Sequence, residues 1–476
     1  MKKLLCTLLS AAVLCGCAAA PIQTAPSESS AVHWQLEKGG LRISAPDGLA
    51  ENAITTEETA DHTVVRIHAP GTYVLSGTFS GQIAEDLGEK AKEDPTAVVT
   101  LILDNADITC ASAPAVMFYN VYECGQPEGS AGANVILAAG SENYVNGSHT
   151  EDYDGALYSR MSMTLGGEGS LFITADNEGL CSEKHLTIDS GTIQIESGND
   201  GINANEDGVS VVTVNGGMLS ITVTGETGEG DGIDSNGSIF IKGGIVDAFA
   251  CGSSMDSGLD ADTGIFISGG MVLATGNMLD RIDEAGSQTH AVFTFAQPQT
   301  GGTFTLKNEK GTALFEVMPP NSFSSLLYSA PALLIEGNYT LWNGDTQYQG
   351  TAGSGIMGGF LEGEEIQRPD FPGRDDGQVE IPPQPTNPIV TQGTQQPPAG
   401  EQPENMPVPP MPEGGSDIPV PPMPEGGENM PMPQPPAGVQ PPAGGSPSAE
   451  FTIGILSADF PITRGANYFT NVCPVE

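Results

Sequence analysis

Basic residues are scarce in this chain. Sixteen Lys and Arg stand against 60 Asp and Glu, for a formal net charge of −44. Binding nucleic acid by phosphate neutralisation needs clustered Lys and Arg, so that class of partner is excluded. Tryptophan is nearly absent, with Trp34 and Trp342 alone, which argues against a neutral-glycan site built on broad indole stacking. The six histidines are scattered and read as surface residues; no Ser/His or Cys/His arrangement stands out. Cysteine lacks zinc-type spacing. Long hydrophobic runs are missing too. The longest, Leu4 to Val13, is too short for a permanent spanning helix.

That short run reads instead as an address. Lys2 and Lys3 precede it, and Leu14-Cys15-Gly16-Cys17 follows as a lipobox-like end. The expectation is a signal peptide over 1–16, a lipid on Cys17, and an exported lipoprotein anchored at the cell surface through that lipid alone. A plain secretion signal cleaved near Ala18–Ala20 is the alternative. Loss of Cys6 and Cys15 and lipidation of Cys17 leave Cys110, Cys124, Cys181, Cys251 and Cys473, an odd number that forbids complete pairing. Cys110 and Cys124 suit a disulfide across one loop or two small buried fillers equally.

Glycine is abundant, at 62 residues, which fits many tight corners, and one glycine recurs in each copy of a repeated phrase. Asp200-Gly201-Ile202-Asn203-Ala204, Asp231-Gly232-Ile233-Asp234-Ser235 and Ser257-Gly258-Leu259-Asp260-Ala261 are the clearest copies. Glu178-Gly179-Leu180-Cys181-Ser182 and Asp154-Gly155-Ala156-Leu157-Tyr158-Ser159 are looser ones. Their glycines, at 155, 179, 201, 232 and 258, are spaced by 24, 22, 31 and 26 residues. Each copy leads to an alternating run such as Val212-Thr213-Val214 or Ile239-Phe240-Ile241, then to a turn such as Gly216-Gly217 or Gly243-Gly244, then to another strand. Period-two alternation buries one face, and glycine supplies positive-φ corners. The fixed order predicts an all-β fold, a parallel β-helix solenoid, over an antiparallel sandwich with glycine turns.

The domain reading follows. Residues 17–60 form an N-terminal linker and the start of a cap, and 61–280 the parallel β-helix. Within these, Thr63–Ile67 and Gly71–Gly77 look like capping strands, and Ala97–Leu103 starts the irregular first coils. Residues 281–350 form a C-terminal β cap, with a hairpin turn at Asn308-Glu309-Lys310-Gly311. Residues 351–448 are Pro/Gly-rich, with Val408 to Gly415 repeated as Val420 to Gly427, and read as a disordered insertion or linker. Residues 449–476 regain strand character and are expected to return to the cap.

Alignment on the phrase hydrophobes Leu157, Leu180, Ile202, Ile233 and Leu259 points those residues inward. The next residues, Tyr158, Cys181, Asn203, Asp234 and Asp260, then point outward, with Asp262 beside them. Coils about 4.8 Å apart stack these side chains, and Asp200, Asp231 and Asp256 approach the same edge. Carboxylates so close repel, and a hard cation with oxygen ligands relieves this. Asp/Asn mixtures with carbonyls suit Ca²⁺ better than Mg²⁺. The candidate metal residues are Asp200, Asn203, Asp231, Asp234, Asp256, Asp260 and Asp262; the alternative is a solvated acidic ladder. A second outward column, Thr164, Thr187, Thr213, Phe240 and Phe266, ends in two rings. Phe240 and Phe266 are candidate sugar-facing residues, or a pair covered by a loop.

With these residues in place, the chain resembles the bacterial carbohydrate-binding domain-containing proteins, whose type member is a calcium-bearing β-helix that binds acidic plant sugars. The resemblance rests on Gly71–Gly77, Leu101–Thr109, Asp154–Ser159, the Asp-Gly-Ile and Asn-Gly-Gly coils to about 276, and Phe323–Leu327. It covers roughly 60–345. It implies a right-handed β-helix similar to polysaccharide lyases, with calcium carried chiefly onto Asp200 and Asp231 and polygalacturonate-like ligands. Glu178 and Ser257 replace the Asp of the pattern and Cys181 sits at an outward position, so those coils are expected to bind metal weakly or not at all.

Three functions compete. The first is a non-catalytic, monomeric surface lipoprotein that captures acidic polysaccharide or cell-wall glycan through calcium, which resolves the like-charge conflict. The second is a structural or adhesive stalk with calcium as a structural ion. The third is a calcium-dependent polysaccharide lyase, which needs a base among Arg160, Lys184, Lys242 and Arg281. Arg160 is expected to pair with Glu183 instead, and no catalytic residue is assigned.

Overall fold

The computed structural model describes residues 36–38, 40–45, 49–280, 282–353 and 456–475. The expected signal peptide over 1–16, the expected lipidation site Cys17 and the Pro-rich tract beyond 353 lie outside them. The described chain is all-β. Its helical segments are two short 3-10 turns, Glu89–Glu93 and Glu284–Gly286.

The repeats become layers of three strands. One layer contains Glu178–Ser182, His185–Ile188 and Thr192–Ser197; the next contains Ile202–Ala204, Val211–Val214 and Met218–Val223. The third is Ile233–Ser235, Ser238–Ile241 and Ile245–Phe249, and the fourth Leu259–Ala261, Gly264–Ile267 and Met271–Gly276. Each strand pairs in parallel with its equivalent in the next layer, giving three long faces in a β-helix-like stack. The first face carries the phrase, the second the run after it, and the third the run after the glycine turn.

Register follows the hydrophobic pattern because a one-residue slip would send the apolar set to water. Leu157, Leu180, Ile202, Ile233 and Leu259 align as partners and are all fully buried. Burying each such side chain contributes about 1.5–3 kcal/mol. The two glycine types have different causes. At the turn, Gly217 and Gly244 hold φ of +83° and +82°, which other residues rarely adopt. In the phrase, Gly201 is required by close approach: a Cβ there would lie 2.2 Å from Ile221 Cγ2 and 2.7 Å from the Gly232 carbonyl oxygen.

The start of the stack differs from the sequence expectation. Thr63–Ile67 pairs in parallel with Gln82–Asp86, and Gly71–Ser80 with Val99–Thr109, so both belong to the stack rather than to a cover. Antiparallel strands lie outside them, Ile54–Glu58 on Thr63–Ile67 and Leu41–Ser44 on Gly71–Ser80. The alternation of these strands is the same in either role, so pattern alone did not separate them. At the other end, Phe323–Ser329 turns antiparallel on Met271–Gly276, and His290–Gln299 adds to it. Ala466–Pro474 then runs parallel to His290–Gln299 and antiparallel to Thr346–Gly353. A second core forms there around Phe293, Phe295, Phe304, Phe323, Phe460 and Phe469. All five described cysteines are free thiols, so Cys110 and Cys124 form no disulfide; Cys110 is a buried filler, and Cys124 donates to the Gln126 carbonyl.

Candidate metal centre

The outward column of the first face runs Met117, Tyr158, Cys181, Asn203, Asp234, Asp260, each paired with the next. Its character changes along the stack. Met117, Tyr158 and Cys181 are buried in a small apolar cluster with Val64 and Ala84. Tyr153, from the loop before the Asp154 copy, packs on Tyr158 with ring centroids 5.2 Å apart, and Tyr119 packs on Tyr153. Tyr158 and Cys181 therefore leave the main core yet do not reach water, a correction to the expected solvated column. The reason is the loop, whose placement no strand periodicity encodes.

Beyond Cys181 the column turns acidic. One carboxylate oxygen from each of Asp231, Asp234 and Asp260 falls within 4.8 Å of the others. Oxygens on opposite sides of a Ca²⁺ ion stand about 4.6–5.2 Å apart, so these three fit around one hard cation. Asn203 stands beside Asp234 in the neighbouring layer. Its Nδ2 donates to Glu178 Oε1 at 2.8 Å and to Asp200 Oδ2 at 3.4 Å, while its buried Oδ1 has no hydrogen-bond partner. An orphaned acceptor next to three carboxylates fits a cation better than an apolar filler.

The phrase aspartates have a second task. Asp200 Oδ1 accepts the backbone N–H of Asp231 at 2.7 Å, and Asp231 Oδ1 accepts that of Ser257 at 2.6 Å. Each acid thus ties its layer to the next. Asp256 Oδ2 accepts the Gly230 N–H at 2.6 Å and the Ser254 hydroxyl, so it is engaged at the turn, outside the three-carboxylate group. Asp262 is exposed and also outside it. Ser257 takes the acid's place in its copy and bonds locally to Leu259.

Electrostatics sharpen the picture. Burial, and then Glu178, push Asp200 up to about 8. Burial, followed by the other aspartates, pushes Asp231 up to about 9. Asp234 rises to about 7 through burial and Asp260, and Asp260 to about 6 through burial and Asp280. Among the described residues, no Lys or Arg forms an ion pair with these four. Arg160 pairs with Glu183 at 3.2 Å, Lys184 with Glu206, and Lys242 with Glu128 at 3.7 Å. Arg281 lies outside the described residues.

Sequence reasoning missed two acids. Glu178, read as a weak substitute for Asp, is buried and accepts from Asn203 and from the Cys181 thiol. Asp280 accepts the Ala261 N–H at 3.2 Å. The degenerate phrase Asn277-Met278-Leu279-Asp280, which has lost its glycine, is the signal that would have found it. On the second face, Phe240 and Phe266 stack with centroids 4.7 Å apart and planes 11° apart, half-buried, with Lys242 Nζ 5.7 Å from the Phe240 centroid. They belong to the same two layers as Asp234 and Asp260.

Comparison with known proteins gives two likenesses. Residues 61–313 match the family described as carbohydrate-binding domain-containing protein. Among solved structures, the polysaccharide lyase-like protein from C. thermocellum, determined as a gadolinium derivative, is 22% identical; 48% of this chain and 85% of that chain are covered, with a TM-score of 0.35. No curated protein matches the chain.

Proposed function

We propose that this chain, which belongs to the carbohydrate-binding domain-containing protein family, captures an acidic polysaccharide of polygalacturonate type through calcium on the outer edge of a right-handed parallel β-helix. The observation that carries the reading is the convergence of Asp231, Asp234 and Asp260 without a basic partner among the described residues. Those three residues, with Asn203 Oδ1, would hold the ion. When bound, calcium supplies the positive charge that a uronate carboxylate needs to approach a chain of net charge −44. Phe240 and Phe266, in the same layers, offer an apolar surface to the sugar ring.

The reading is non-catalytic. Proton abstraction next to a uronate needs a base beside the metal. Of the four candidate bases, the three among the described residues, Arg160, Lys184 and Lys242, are each engaged with a glutamate instead, and Arg281 lies outside them. We further propose export and tethering through a lipid on Cys17. Calorimetric titration with polygalacturonate, with and without chelator, tests the function. Binding that persists after complete calcium removal, or that survives Asp234→Ala with Asp260→Ala, overturns it.

One observation favours a second reading, a calcium-stabilised stalk or adhesin. Asp200 and Asp231 each bond the backbone of the next layer, so the acids already serve the stack. Calcium that raises the melting temperature without promoting polygalacturonate binding selects this reading.

A further inference from the structure

The third face carries a feature that the cation edge does not use. Tyr144 and Phe172 are register partners there, stacked with centroids 5.0 Å apart and planes 17° apart. Tyr144 is 39% exposed. Phe172 covers one side of its ring. On the other side the register partner is Asp107, too short to cover it.

Beside this pair runs a groove of about 320 Å³. Asn146 and Thr174, which line it, lie two residues beyond Tyr144 and Phe172 on the same strands, hence on the same face and about 7 Å further along. The groove is completed by Asp176, Glu196 and Glu226, and no Lys or Arg lines it. Burial raises the Asp176 carboxyl, but Ser148, the His149 ring 3.2 Å away and the His149 backbone N–H outweigh it and hold the carboxyl below its ordinary range.

From this juxtaposition we infer a second carbohydrate site, specific for a neutral saccharide and independent of calcium, with Tyr144 as the stacking platform and the Asn146–Thr174–Glu196 groove as the hydroxyl-binding wall. The chemistry is complementary. The C–H face of a pyranose lies against an aromatic ring, and its hydroxyls donate to carboxylate and amide acceptors. A uronate is disfavoured, because its carboxylate would face Asp176, Glu196 and Glu226 with no Lys or Arg among the lining residues, and the His149 ring beside Asp176 is already engaged with that carboxylate. The size lies at the lower end of small-molecule sites, enough for one or two sugar units. The inference shares with the function proposed above only the carbohydrate-binding character of the family, and it stands or falls separately from the cation edge.

The test is calorimetric titration of the full chain in excess chelator with neutral oligosaccharides of glucose, mannose, galactose and xylose, and with oligogalacturonate as the acidic control. At least one neutral oligomer is expected to bind and oligogalacturonate not to. Tyr144→Ala should weaken that binding by about tenfold or more, while Tyr144→Phe, which keeps the ring, retains it. Thr174→Arg, at an exposed groove position, provides a second variant that blocks the wall without touching the core. Asp234→Ala with Asp260→Ala should leave neutral-sugar binding unchanged even where calcium-dependent polygalacturonate binding is lost. No neutral oligomer bound in chelator, undiminished binding by both Tyr144→Ala and Thr174→Arg, or loss of binding in the cation-edge double variant would each overturn the inference.

Discussion

Asp200 accepts the backbone N–H of Asp231 through Oδ1 at 2.7 Å, across two layers of the stack. The same bond recurs from Asp231 to Ser257. The acids of this edge therefore divide by task. Those that open the phrase tie layer to layer, and those that follow the phrase hydrophobe, Asp234 and Asp260, project outward from the strand. Asp231 serves both.

The division predicts separable mutants. Asp200→Ala leaves the Asp231 N–H without its acceptor and should lower stability by about 1–3 kcal/mol in urea unfolding with chelator present. Asp234→Ala removes a like charge and no layer-to-layer bond, so its stability in chelator should be unchanged or higher. Equal destabilisation by the two substitutions would contradict the division.

Calcium affinity should show the opposite order. Asp234→Asn and Asp260→Asn each delete one anionic ligand of the proposed centre, and each is expected to weaken calcium binding by about tenfold or more. Titration with calcium, followed by calorimetry or by lanthanide luminescence, measures this. Asp262→Asn, at an exposed position outside the group, should change it little.

The carboxyl shifts give a pH signature in chelator. Asp260, Asp234, Asp200 and Asp231 are raised to about 6, 7, 8 and 9 in the folded protein. A raised folded value means that the folded state holds its proton more tightly than the unfolded state. The contribution to stability is therefore complete below the ordinary carboxylate range and is lost as pH climbs to about 9. Chelated protein should melt at progressively lower temperature from pH 5 to pH 9. Calcium competes with those protons, so the melting-temperature rise it produces should grow over the same interval. A calcium effect that shrinks with pH would count against the centre.

Glu85 offers a test of the core away from the edge. It is fully buried between Ile67 and Phe118 on the first face, and neither carboxyl oxygen meets a donor from another residue. Burial raises its carboxyl well above the usual range, which the nearby Arg66 only partly offsets. Glu85→Met should stabilise the protein by about 1–3 kcal/mol. The gain should be larger at pH 8 than at pH 4, because the cost of the unsatisfied carboxyl at any pH is joined, where the unfolded chain ionises it, by the cost of keeping it protonated. Denaturant unfolding at the two pH values decides.

Much of this edge was legible in the residues. Alignment on Leu157, Leu180, Ile202, Ile233 and Leu259 gave the register that the strands adopt, because period-two alternation and stacking leave one solution. The same logic gave the Thr164, Thr187, Thr213, Phe240, Phe266 column. Turn residues were not legible in this way. Asp256 and Asp262 look equivalent to their neighbours in sequence, yet one is engaged at a turn and the other exposed, since side-chain direction in a corner depends on local backbone angles rather than on period. Nor did the pattern reveal that Tyr153 folds over Tyr158, or that Tyr144 and Phe172 meet, because the spacing of these aromatics falls outside the repeated phrase.

The final strand pairing has a consequence for how the chain breaks. The described chain leaves the cap at Gly353 and resumes at residue 456, and the flanking strands Thr346–Gly353 and Ala466–Pro474 are neighbours in one sheet. Ala466–Pro474 is also clasped by His290–Gln299, with Phe293 and Phe469 stacked 5.3 Å apart. A protease that cuts anywhere between those strands severs the polypeptide without severing the molecule. The two pieces would travel together through a sizing column and part only in denaturant, so a nicked preparation would be visible on a denaturing gel and invisible in a binding assay.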